Sequence, residues 1–124
     1  AMAENRLADY LVGTDAPAGS GVQPNGMLRM VTLLASFGGL SAEQAWCCGS
    51  GNVAKRRDLK QGIVEKGRPA DLIFMDRPTG SVGDNVLGGM TVGNIPGIAA
   101  VMIDGKMRTG RSRSTPPSHR VPVL

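Results

Sequence analysis

The residues best placed to do chemistry lie early in the chain, in Gly13-Thr14-Asp15-Ala16-Pro17. A carboxylate just past the end of an apolar segment, on a turn loosened by glycine, can ligate a metal or take a proton from an activated water. An aspartate in a turn can equally serve only its own backbone. The following Ala18-Gly19-Ser20-Gly21 could form a nest of N–H groups for an anion. It lacks the Gly-Lys-Ser/Thr of a P-loop and does not fit Gly-x-Gly-x-x-Gly, so a flexible turn is the plainer reading.

The other reactive types offer less. Cys47 and Cys48 are adjacent, hence poorly placed for an unstrained disulfide, and read as buried, reduced thiols beside Trp46 in a cytoplasmic protein. A catalytic thiolate needs a nearby base, and the one histidine, His119, sits between Ser118 and Arg120 near the C-terminal end and reads as a solvated residue. One histidine cannot supply the three nitrogen ligands of a common catalytic metal site. The 14 Lys+Arg against 10 Asp+Glu give a net charge of +4. Aromatic residues for base stacking are nearly absent from the basic stretches around Lys55-Arg56-Arg57, Lys60, Lys66, Arg68, Arg108, Arg111 and Arg113. A solvated surface is therefore favoured over nucleic-acid binding.

These groups need elements to hold them. Of 124 residues, 26 are Gly or Pro and only four are Phe, Tyr or Trp, so any core rests on aliphatic side chains, Met and Ala. No apolar run approaches the length of a membrane helix, and the first residues lack the pattern of a signal peptide. Asp9 to Val12 reads as the end of a short buried strand leading into the glycine-rich turn. Asn25 can cap a helix on which Met27, Leu28, Met30, Val31, Leu34 and Phe37 recur, stopped by Gly38-Gly39. Ser41-Ala42-Glu43-Gln44 has the form of a capping box for a second helix, and Asn52 can cap a short third. Gln61 to Val64 looks like a strand end, and Asp71 to Asp76 like a buried strand. Residues 77–97 read as a long loop with one helical turn near Asp84 to Leu87. Ile98 to Ile103 is a further buried strand, and Asp104-Gly105 is a strong hairpin signal because both central residues of a type I′ turn need positive φ. The basic, proline-rich end, 112–124, reads as extended and mobile.

Order and spacing resemble the C-terminal part of the amidohydrolase superfamily. The segment Gly13 to Pro17 resembles the end of that family's eighth barrel strand. Leu40 to Ala45, Gly51 to Ala54 and Gly62 to Leu72 resemble its exit from the barrel into a flanking β-sandwich, and Val101 to Lys106 the closing hairpin of that sandwich. Gly13 to Pro24, Gly26 to Arg29, Gly93 to Gly97 and Arg111 to Pro117 resemble the enamidase branch, which hydrolyses cyclic enamides. The resemblance implies an α/β fold: the last strand–loop–helix unit of a (β/α)₈ barrel with its following helices over 1–60, part of the sandwich over 61–111 and a basic tail over 112–124. It implies a binuclear divalent metal site, zinc in many members, acting on the C–N bond of a small cyclic amide. Residue for residue only Asp15 carries over, as metal ligand and proton shuttle, with Gly19, Ser20 and Gly21 lining the substrate pocket. The family's His-x-His, a bridging lysine in a barrel context and the remaining histidines do not occur in these 124 residues. The chain alone is therefore expected to be inactive and to hold no metal tightly. The alternative is a small non-catalytic module that self-associates or binds a partner through faces the barrel would cover, so a homo-oligomer is expected.

Overall fold

The structure, a computed structural model, describes residues 4–16 and 23–123. After a 3₁₀ turn over Glu4–Asp9 come helices α1 (Gly26–Ser36), α2 (Ala42–Gly49) and α3 (Gly51–Arg56). Strand β1 (Leu72–Asp76), helix α4 (Val86–Thr91) and strands β2 (Gly97–Ile103) and β3 (Lys106–Thr109) follow. The strands form an antiparallel sheet in the order β1-β2-β3. The protein is thus mixed α/β, with a helical layer preceding and partly interrupting a small sheet.

Each helix starts for a local reason. Asn25 precedes α1 with φ 62 and makes no side-chain cap. Its amide instead donates to the carbonyl of Ser114, tying the head of the helix to the C-terminal segment. The buried face of α1 is Leu28, Val31, Thr32 and Ala35, an i, i+3, i+4, i+7 set. Met27 and Phe37 fall off that face, and Phe37 is 85% exposed. At α2 the capping box forms: Ser41 Oγ accepts from the Gln44 N–H at 3.2 Å, and Gln44 Oε1 accepts from the Ser41 N–H at 3.0 Å. Helix α4 is built on Gly88-Gly89, a poor helix-forming pair. Asn85 caps it by accepting from the Gly88 N–H at 2.9 Å, and wholly buried Met90 anchors it. Gly83 packs so closely there that a Cβ on it would lie 2.3 Å from the Gly89 nitrogen.

The helical core consists of Val31, Ala35, Ala42, Ala45 and Met90, with Val12, Leu34, Leu40, Trp46 and Leu87 packed around it. Trp46 Nε1 donates to Met90 Sδ at 3.1 Å, giving the indole N–H a partner inside the layer. Burying a side chain the size of Val31 or Met90 contributes about 1.5–3 kcal/mol. With so many alanines in the core, these two carry much of its stabilisation.

The sheet departs from expectation in three places. Asp9 to Val12 forms no strand; the Val12 N–H donates to the Cys48 carbonyl at 3.0 Å instead. A strand needs a neighbouring ladder, and the described residues place a helix end there. Gln61 to Val64 is a series of bends, with Val64 86% exposed. β1 forms where expected, yet Ile73 and Phe74 are exposed while Asp76 is buried. The β2–β3 hairpin turns as its sequence predicts: Asp104 and Gly105 have φ 51 and 70.

The C-terminal segment is pinned along much of its length. The Ser112 N–H donates to the Ile98 carbonyl, the Thr79 N–H to the Pro117 carbonyl and the His119 N–H to the Arg77 carbonyl, each at 2.9 Å. Ser118 is buried against Gly97, where a Cβ would come within 2.6 Å of the Ser118 backbone. The extended, mobile tail expected from its composition is held because Gly97 leaves room for it and Asp76 supplies a charge partner.

Candidate functional site around Asp15

Asp15 stands at the end of a segment fastened from two sides. Asn52, buried in the first turn of α3, donates from Nδ2 to the carbonyls of Leu7 and Tyr10 at 2.9 and 3.0 Å. Asn52 is therefore a brace and not the expected cap, since α3 already begins at Gly51. Two residues beyond Tyr10, Val12 packs on the helical core and bonds to the end of α2. Thr14 then lies against Gly26, the first residue of α1, so closely that a Cβ on Gly26 would meet Thr14 Cγ2 at 2.8 Å. Asp15 follows, exposed and with φ 47, a left-handed conformation that Asp tolerates better than most residues. The sequence thus places a solvent-facing carboxylate beside the head of α1, from a backbone anchored three residues earlier.

Gly19, Ser20 and Gly21, expected to line a substrate pocket, lie outside the described residues. Cys48 is buried, and burial pushes its thiol pKa up, which makes it inert. Cys47 is exposed, contrary to expectation, because it falls on the outer side of α2. His119 is exposed.

A second polar centre was not evident from the sequence. Asp76, at the end of β1, accepts from Arg120 Nε at 2.8 Å, Arg120 Nη2 at 3.1 Å and the Arg120 N–H at 3.0 Å. The Arg77 N–H adds a fourth bond at 2.9 Å. The Arg120 guanidinium is the main reason that the carboxyl of Asp76 sits at about 2. Every oxygen of this carboxylate is occupied, so it is a clasp and not a reactive group. An acid ending an apolar strand was the available signal, but its partner is 44 residues away.

The residues do not by themselves fit a binuclear metal centre. Among the described residues no three His, Cys, Asp or Glu side chains converge to hold an ion. Among the same residues no helix is long and apolar enough to cross a membrane.

Comparison with known proteins gives this geometry a context. No protein-family model matches the sequence. Enamidase from Eubacterium barkeri is 40% identical over 120 residues, covering 97% of this chain and 31% of that protein. The crystal structure of enamidase, described as a new member of the amidohydrolase superfamily, superposes with a TM-score of 0.89 at 40% identity. That match covers 94% of this chain and 30% of the enamidase chain. The chain spans under a third of the length of the relative it matches, and along that span it is a homologue of enamidase in both sequence and fold.

Proposed function

We propose that these residues form the carboxylate-bearing part of an enamidase-like amidohydrolase that cleaves the C–N bond of a small cyclic amide. The observation that carries the reading is the pairing of 40% identity with a TM-score of 0.89 over nearly the whole chain. In this reading 1–60 corresponds to the end of a (β/α)₈ barrel, 61–111 to part of a flanking sandwich and 112–124 to a basic tail.

Asp15 is the group assigned to chemistry. Its carboxylate, exposed on a turn with positive φ, accepts a proton from the attacking water and returns it to the departing nitrogen. A positioned acid–base group of this kind contributes about 10²–10⁴-fold to rate. The superfamily's divalent metals, zinc in many members, would require histidines that these 124 residues do not supply. The remaining site therefore comes from other polypeptide, and these residues alone do not hydrolyse the amide. Gly19, Ser20 and Gly21 are assigned to the substrate side of the same loop.

The test is cyclic-enamide hydrolysis by the enzyme containing this segment, with and without Asp15→Asn. Activity should fall by about 10²–10⁴-fold with the melting temperature unchanged, and the 124-residue chain alone should be silent. Activity within twofold of the parent in Asp15→Asn would remove Asp15 from the mechanism.

A second reading, a self-associating or partner-binding module, is favoured by one observation. Leu33, Phe37, Val64, Ile73, Val82 and Val92 are between 49% and 86% exposed, and apolar side chains of this kind mark a partner surface where they share one face.

A further inference from the structure

Arg68 is held by three hydrogen bonds and still has donors to spare. Its Nε donates to Glu65 Oε2 at 2.7 Å, and its Nη1 donates to the carbonyls of Leu59 and Lys60, both at 3.3 Å. Nη2 has no partner among the described residues, and the side chain remains 31% exposed. Arg68 lines two cavities. One, of about 360 Å³, is also walled by Lys55, Asp58 and Lys60. The other, of about 430 Å³, is walled by Lys60, Glu65, Lys66 and Gly67. Lys60 and Arg68 line both.

The bland account is that Arg68 only closes the loop between α3 and β1. Loop closure uses Nε and Nη1, however, and gives no role to Nη2 or to the three lysines that line the same cavities. The charge balance favours an anion. Glu65 is offset by Arg68 itself, leaving Asp58 as the acid that opposes Lys55, Lys60 and Lys66. A guanidinium already oriented by three bonds loses little freedom when its remaining edge meets an oxyanion, and charge-assisted bonds of that type are the stronger class.

We propose that the paired cavity at Arg68 binds a small, multiply charged oxyanion, with phosphate or carboxylate groups reaching into both halves. Nη2 of Arg68 provides the oriented contact, and Lys60 and Lys66 provide field and flexible donors. The site shares no residue with the Asp15 turn, so it stands or falls independently of the hydrolase reading.

The test is a titration of the full chain with inorganic pyrophosphate, followed by amide chemical shifts, with citrate in a parallel arm. Saturable one-to-one shifts centred on Lys60 and Glu65 to Arg68 are expected, weakening as salt rises. Arg68→Gln should abolish them, and Lys60→Gln and Lys66→Gln should each weaken binding by about three- to tenfold. Should Arg68→Gln disturb the loop, the two lysine variants decide, because their ammonium groups bond to nothing else among the described residues. Saturation by pyrophosphate alone assigns the site to phosphate chemistry, and saturation by citrate alone to carboxylate chemistry. Non-saturating shifts spread over all basic residues, or lysine variants that bind as tightly as the parent, would overturn the proposal.

Discussion

Two aspartates of this chain meet opposite environments. Asp15 is exposed at φ 47 with its backbone braced from behind. Asp76 is 6% exposed and saturated with donors. Because the carboxyl of Asp76 is held at about 2, well below its ordinary 3.8, its contribution to stability is complete above the ordinary carboxylate range. That contribution fades as pH falls from about 4 through about 2. Arg120→Gln should therefore melt a few degrees below the parent at pH 6, with the gap closing near pH 2; equal melting temperatures at pH 6 would show the clasp to be idle. Asp15 stands out as a candidate in Gly13-Thr14-Asp15-Ala16-Pro17 because the turn signals around it are neighbours in sequence. Asn52 and Arg120 do not, since their partners are carbonyls and a carboxylate more than 40 residues away, and no local pattern encodes such distance.

Among the elements, those governed by neighbouring residues were legible. The capping box at Ser41 and Gln44 and the Asp104-Gly105 turn depend on side chains and φ angles within four positions. Segments needing a distant partner were misread: Asp9 to Val12 and Gln61 to Val64 are apolar enough for strands but have no ladder to join. The one-turn helix expected near Asp84 to Leu87 is instead six residues, Val86–Thr91, because buried Met90 stabilises what Gly88-Gly89 would not. Gly97 is the sharpest case of packing dictating residue type. Gly97→Ala would drive a methyl group to 2.6 Å from Ser118 and 2.8 Å from the Pro116 carbonyl. A loss of about 2–4 kcal/mol is expected, with weaker hydrogen-exchange protection at Ser112 and His119 in denaturant and exchange measurements. A loss under 0.5 kcal/mol would mean the segment docks elsewhere.

For the molecule as a whole, the relationship to enamidase and the exposed apolar side chains bear on each other. The match covers 30% of the enamidase chain, and Phe37, Val64 and Val82 stand largely exposed in the present chain. Kept alone in solution, the 124 residues should self-associate, so light scattering should report a mass above 12.9 kDa that rises with concentration. A strictly monomeric species at all concentrations would argue that Phe37 and its neighbours are ordinary scattered surface residues.

The sheet carries a final implication. Its hairpin turn is held by Asp71 and Ala70, which accept from the Asp104 and Gly105 N–H groups at 2.8 and 3.1 Å. The opposite tip is held by the strap that crosses Gly97. Between these tips Ile73 and Phe74, on opposite faces of β1, are 52% and 37% exposed. A sheet clamped at both margins has little looseness left to surrender, so a group meeting either face avoids much of the ordering entropy that weakens association with floppier surfaces.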